Sequence, residues 1–246
     1  PDPEAERKLS EVLANARRSL PGLYDAALPP EGRLRFCASL EEAVAGAQWI
    51  QESVPERLEL KHRVLTRIQA VMANDAVIGS STSGFKPSEL GAGVPRPGQV
   101  LVAHPFNPVY LLPVVEVVPH TSAAEDVITG ALQTLRSIGM MPLRLRREMD
   151  AHVADRFLEA VWREALWLVK DDIATTQEID DVIRFGFGIR RAQMGLFETY
   201  RIAGGEAGMA HFLAQFGPCL KWPWTRLTDV PDLDAAAAVW EKLGLK

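Results

Sequence analysis

The chain has 246 residues, 47% of them hydrophobic and 24% charged, with a formal net charge of −5. That length holds one large domain or two modest ones, and the composition excludes a disordered or collagen-like chain. The acidic balance argues against a broad nucleic-acid-binding face. No apolar run approaches the roughly 18 residues of a membrane span. The most apolar segment, Val114–Pro119, is interrupted by Glu116. Two cysteines, Cys37 and Cys219, cannot build a disulfide framework, which points to a reducing, cytoplasmic setting. The chain opens at Pro1 with no initiator Met and no signal-peptide pattern, so we expect the native N-terminus to lie upstream.

The first half alternates helix and strand signals. Residues 4–20 place Leu9, Val12, Leu13, Ala16 and Leu20 at helical spacing. A strand is expected over 34–38. A short helix follows over 40–47, with Ser39 as N-cap and Glu41 and Glu42 in its first turn. Residues 49–54 read as a strand. A long helix over 56–73 carries Leu60, Val64, Ile68, Val71 and Met72 on one side. Strands are expected at 76–80, 100–104 and 112–118, then a helix over 123–138 and a closing strand at 143–145. Such alternation predicts a mostly parallel sheet with helices on its faces.

Beyond residue 149 the pattern is helical only. Val153, Phe157, Val161, Ala165 and Leu168 form an i, i+4 stripe. A second helix is expected over 176–185, capped by Thr175 or Thr176 with Glu178 early in it. A glycine turn at 186–188 precedes helices near 196–202 and 209–216. The stretch 218–231 is aromatic and irregular, and a last helix is expected over 235–243.

Two segments carry chemistry. In His104-Pro105-Phe106-Asn107-Pro108 the histidine ends a strand, and Glu116 stands twelve positions later on the next one. Adjacent strands can place a carboxylate behind that imidazole, which suits a general base. The alternative is a capping histidine and an edge-strand glutamate. Ser80-Ser81-Thr82-Ser83-Gly84 lies at the carboxyl end of a strand, where ligands bind in open α/β sheets; an ordinary polar turn is the competing reading. Asp155-Arg156 fits a solvated helix face. Trp222 and Trp224 fit either a packed edge or an aromatic cage for a quaternary ammonium group. The five histidines show no metal-ligand spacing, so no metal is expected. No Gly-x-Gly-x-x-Gly string occurs.

Together these segments resemble the 3-hydroxyacyl-CoA dehydrogenase family over nearly the whole chain. In that family the serine of an Asn/Ser-Thr-Ser-Ser turn, the histidine of a His-Phe-Phe-Asn-Pro string and a glutamate twelve residues on form the active site. Ser83 precedes His104 by 21 positions, as in the family, and Glu116 completes the set. The resemblance implies NAD as cofactor, with Glu56 and Lys61 of Glu56-Arg57-Leu58-Glu59-Leu60-Lys61 beside it and Ser83 and Asn107 in reach. It implies catalytic roles for Ser83, His104, Glu116 and Asp155, the last standing where acyl-CoA members have Asn. The strings at 104–113, at Tyr200-Arg201-Ile202-Ala203-Gly204-Gly205-Glu206-Ala207-Gly208-Met209 and at Lys221-Trp222-Pro223-Trp224-Thr225 have the form of members that oxidise L-carnitine.

The expected fold is therefore α/β. A Rossmann-like doubly wound sheet lacking its first βαβ occupies 1–147, and an all-helical substrate and dimerisation domain occupies 148–246. The expected reaction is oxidation of the 3-hydroxyl of L-carnitine to 3-dehydrocarnitine in a homodimer. Phe106, Asn107, Ala154, Phe216, Trp222 and Trp224 are the expected substrate contacts. A hydroxyacyl-CoA or gulonate-type sugar-acid dehydrogenase is the alternative. The absent glycine-rich turn also leaves open a non-catalytic homologue.

Overall fold

Among the described residues five strands form one sheet, and their order across it follows their order in the chain. The computed structural model describes residues 3–25, 27–221 and 224–225. Trp222, Pro223 and the helix expected over 235–243 lie outside them. The chain divides into two compact units, Pro1–Asp155 and Arg156–Lys246.

The first unit opens with helix α1 (Pro3–Ser19). Helix α2 (Leu40–Val44) starts where the Ser39 hydroxyl accepts the Glu42 amide, as the sequence predicts. Then come β1 (Trp49–Glu52), α3 (Leu58–Val71), β2 (Val77–Ser80), α4 (Pro87–Gly91), β3 (Val100–Pro105), β4 (Val114–Pro119), α5 (Glu125–Ser137) and β5 (Met141–Arg144). Strands β1, β2 and β3 run parallel, β4 runs antiparallel to β3, and β5 runs parallel to β4. The unit is thus a mixed, Rossmann-like sheet with helices against it.

Alternation along the strands divides the core. Val100 and Val102 join Ile78, Val118, Leu65, Ile68 and Leu90 in one cluster, under α3 and α4. Leu101 and Ala103 join Val77, Val115, Val117, Ala131 and Leu135 in the other, under α5. Burial on both faces explains why β3 reads as a continuous apolar run. Gly79 is required on the α5 face: a Cβ there would lie 2.5 Å from the Trp49 ring and 2.7 Å from the Ala103 Cβ.

Two sequence expectations fail in this unit. The strand expected at 34–38 is not formed; the chain is irregular from 27 to 37, with Leu34 and Phe36 exposed. A strand needs a laddered partner, and among the described residues β1 pairs only with β2. The buried face of α3 is also displaced. It carries Lys61, Leu65, Ile68 and Gln69, while Val71 is exposed. Apolar spacing missed this because a lysine is drawn inward by a buried partner, described below.

The described part of the second unit is helical. Helix α6 (Ala154–Lys170) begins at the junction and ends in a Schellman turn, with Ile173 N–H donating to Leu168 O and Asp172 N–H to Val169 O. Asp172 takes the left-handed position at φ 54°. Helix α7 (Thr176–Asp181) has the expected capping box between Thr175 and Glu178. The expected glycine turn is absorbed into a π-helical segment, Val182–Phe187, where Gly186 leaves helical geometry. Helices α8 (Gly188–Arg191), α9 (Leu196–Ala203) and α10 (Gly208–Phe216) follow, and a 3₁₀ turn covers Gly217–Lys221. Tyr200 stacks on Phe212 with ring centroids 4.7 Å apart, and Phe216 meets Phe212 at a tilt with centroids 4.8 Å apart.

Candidate active site

Parallel strands β1, β2 and β3 end on the same edge of the sheet, and β4 returns from that edge. In the β3–β4 register His104 stands directly opposite Glu116. Both point to the face that holds Val102 and Val118. His104 Nδ1 lies 3.2 Å from Glu116 Oε2.

Glu116 is 0% exposed, inside a valine-rich strand. Its second oxygen, Oε1, accepts the amides of Val153 and Ala154, each at 3.0 Å. Burial pushes this carboxyl up, but His104 and the two amides together hold it below its ordinary value. An ionised carboxylate only accepts, so His104 Nδ1 carries the proton and Nε2 is left as the acceptor in the neutral ring.

Ser83 Oγ is 3.4 Å from that Nε2. It sits in a turn held from beneath. The Thr82 hydroxyl and the Gly84 amide both donate to Glu56 Oε1. Burial pushes the Glu56 carboxyl up, while Thr82, the Lys61 ammonium and the Gly84 amide bring it net below its ordinary value. Lys61 Nζ is 3.3 Å from Glu56 Oε2 and also donates to Val54 O and to both oxygens of Glu52. Asp155 Oδ2 lies 3.8 Å from His104 Nε2, on the side of Ser83.

Of the residues expected from sequence, Ser83, His104, Glu116 and Asp155 come together, and Ala154 joins them through its backbone amide. Glu56 and Lys61 are tied to the Ser83 turn from below. The Phe106 ring is 5.8 Å from the His104 ring, and Asn107 is exposed on the loop after β3. Phe216 belongs to the second unit, against Phe212. Trp224 is exposed. Trp222 lies outside the described residues.

Sequence reasoning missed two buried groups. Glu52 closes β1 and receives Lys61 and the Ser80 hydroxyl; an acid at the end of an apolar strand, nine residues before a lysine, was the available signal. His152 is 0% exposed, with its ring 5.5 Å from that of His104 and Nε2 3.2 Å from Thr82 O. Nothing in spacing distinguishes it from an exposed histidine.

The arrangement can move a proton. An imidazole with an open lone pair, a carboxylate behind it and a hydroxyl in front is suited to deprotonate an alcohol.

Comparison with known proteins identifies the family. Residues 6–149 match the family described as 3-hydroxyacyl-CoA dehydrogenase, NAD binding domain, and residues 152–242 match the 3-hydroxyacyl-CoA dehydrogenase C-terminal domain. An L-carnitine dehydrogenase/betainyl-CoA thioesterase of Ruegeria pomeroyi is 68% identical over 232 residues, covering 94% of this chain and 48% of that protein. The L-carnitine dehydrogenase of Pseudomonas aeruginosa is 53% identical, covering 96% of this chain and 73% of that protein. The chain therefore spans about half the length of the bifunctional relatives it matches. Among solved structures, FHMPC 5-dehydrogenase, an NAD+ dependent dismutase, superposes with a TM-score of 0.82 at 27% identity, covering 98% of this chain and 75% of that one. The sequence resemblance thus holds over both halves of the chain, which belongs to the 3-hydroxyacyl-CoA dehydrogenase family.

Proposed function

We propose that this protein oxidises the 3-hydroxyl of L-carnitine to 3-dehydrocarnitine with NAD. The substrate class rests on the identity to relatives named L-carnitine dehydrogenase. The chemistry rests on one observation, the line Ser83–His104–Glu116.

The edge of the sheet fits NAD. The Ser53 and Ser81 hydroxyls meet at 2.8 Å beside the ends of β1 and β2, the Glu56 carboxylate receives the hydroxyl of Thr82, and Asn107 is exposed on the loop after β3. Hydroxyls, a carboxylate and an amide are the partners that a ribose and a carboxamide need. Glu56, Ser83 and Asn107 would hold the cofactor, with Lys61 acting behind Glu56. When bound, NAD supplies the hydride acceptor for C3.

The residues of the chain manage the oxygen and its proton. The Ser83 hydroxyl donates to the reacting oxygen and fixes its place. His104 Nε2 takes the hydroxyl proton as the C–H bond gives up its electron pair, and the C–O bond becomes a carbonyl. Glu116 holds the ring in the tautomer with Nε2 free and supports the imidazolium that forms. Asp155 supplies a negative charge on the substrate side, where the trimethylammonium of carnitine is attracted without a hydrogen bond. Phe106 and Ala154 line the same end. Phe216, Trp222 and Trp224 are the aromatic candidates of the second unit.

We also propose a homodimer in the cytoplasm. Support for the dimer comes from the apolar face on α6, where Phe157, Leu158 and Trp162 are exposed. No helix among the described residues is long and apolar enough to cross a membrane.

An assay panel tests the reading. The intact protein with NAD is given L-carnitine, 3-hydroxybutyryl-CoA and gulonate, and NADH is followed by absorbance. Carnitine is expected to be the preferred substrate, and His104→Ala to slow the reaction by about 100- to 10,000-fold. A preference for either competitor would displace the carnitine reading. A His104→Ala variant retaining more than about a tenth of the rate would remove that residue from the mechanism.

A further inference from the structure

Between β5 and α6 the backbone makes an uncommon turn. Ala151 and His152 take left-handed φ values of 58° and 51°, a conformation that residues with a Cβ hold only where the surroundings impose it. The turn has a result: the next two amides, of Val153 and Ala154, both converge on Glu116 Oε1. Two outer contacts anchor its start, Glu148 accepting the Ser88 amide and Asp150 pairing with Lys86 at 2.7 Å.

The inner anchor is His152. Its side chain is fully buried against the His104 ring. A carbonyl oxygen only accepts, so Nε2–H of His152 donates to Thr82 O at 3.2 Å. That carbonyl belongs to the peptide leading into Ser83. Its Nδ1 has no hydrogen-bond partner. A buried polar ring with one atom unsatisfied is costly packing material, so its bond to Thr82 calls for a reason beyond volume.

We propose that His152 is a positioning residue that sets the spacing across His104. One ring ties the peptide before Ser83 to the backbone that grips Glu116, so the hydroxyl in front of the base and the carboxylate behind it share one reference point. The proposal rests on His104 being the base of the proposed reaction. His152 acts through its neighbours and not by touching cofactor or substrate.

Two substitutions in the intact protein separate bonding from bulk. His152→Phe keeps a ring and loses the donor. His152→Gln carries an amide nitrogen the same number of bonds from the backbone as Nε2. With saturating NAD and carnitine, His152→Phe is expected to lower kcat about tenfold, the scale of a small misplacement of reacting groups. KM for either substrate should move less than about twofold, and His152→Gln should recover most of the lost kcat. Hydrogen exchange reads the same effect without substrate: the Val153 and Ala154 amides should exchange faster in His152→Phe and return toward the original rate in His152→Gln.

Wild-type kcat and exchange in His152→Phe would overturn the proposal, and so would a His152→Gln variant as impaired as His152→Phe. Should His152→Phe not fold, His152→Leu against His152→Gln gives the same decision. Failure of the unsubstituted protein to oxidise carnitine would sink the substrate reading alone, because the exchange measurement still decides the role of His152.

Discussion

Lys61 and Glu52 form an ion pair in the interior, with Nζ 3.0 Å from Oε1 and side chains 1% and 0% exposed. The pair joins the first turn of α3 to the end of β1, and the Ser80 hydroxyl adds a bond to Glu52 Oε2 at 2.5 Å. Each charge is tolerated there only because the other is present. Lys61→Met should therefore leave Glu52 as an uncompensated buried anion and cost about 3–5 kcal/mol of stability. Urea unfolding measures this. The double variant Lys61→Met/Glu52→Gln should lose much less, since it removes the orphaned charge. Equal losses in both would show that the lysine matters for packing rather than for the pair.

Glu116→Gln tests the line through His104 at its far end. The two amides of Val153 and Ala154 need an oxygen, so they would fix the Gln side chain with its carbonyl toward them. Its NH2 would then face His104 Nδ1 and donate to it. The ring would be held in the opposite tautomer, with Nε2 protonated and unable to accept the substrate proton. The expected loss is about 100- to 10,000-fold in kcat, with carnitine KM changed far less. Glu116→Gln at more than about a tenth of the original kcat would mean that the tautomer is set elsewhere.

Much of this site could be read in the sequence because it is built on strands. Strand period places His104 and Glu116 on one face once β3 and β4 are recognised, and the twelve-residue gap is the length of a strand, a connection and a return. The same period separates the two core clusters. What stayed hidden depends on tertiary partners. Lys61 interrupts an apolar stripe on α3, and only the position of Glu52 explains its burial. His152 sits in a turn whose conformation no spacing rule predicts. The region 34–38 has strand-like residues but no neighbouring strand to receive them among the described residues.

The buried imidazole of His152 should make stability depend on pH. Burial is the main cause that lowers its affinity for a proton, and His104 adds to it. The Thr82 carbonyl and the Glu116 and Asp155 carboxylates oppose without reversing the shift. The folded state therefore protonates His152 less readily than the unfolded chain, where an imidazole titrates near about pH 6.5. The contribution is fully present above that value and is lost as pH falls through the folded pKa below it. Melting temperature should fall as pH is lowered below about 6.5 in the original protein, and fall less in His152→Gln. Parallel curves for the two would show that this ring does not carry the acid sensitivity.

Carnitine carries a fixed positive charge at one end. A pocket that selects a trimethylammonium group must treat it differently from a neutral group of the same shape. Asp155, 3.8 Å from His104 Nε2, is the acid nearest the proposed reacting atoms on the substrate side. Asp155→Asn removes the charge and keeps the shape. It should raise KM for carnitine by up to about fivefold, the range expected for a partly solvated ion pair of up to about 1 kcal/mol. The analogue with a tert-butyl group in place of trimethylammonium should lose much less. The same comparison applied to Phe106→Leu, Phe216→Leu, Trp222→Leu and Trp224→Leu decides which rings take part, because a cation held over an aromatic face responds to the ring and a neutral group responds mainly to volume. Since Asp155 also faces His104, its change is expected to lower kcat for both substrates alike. The ratio of the two KM values is free of that effect. If charged and neutral substrates lose equally in Asp155→Asn, the carboxylate serves the base rather than the cation, and recognition of the trimethylammonium must come from the aromatic side chains.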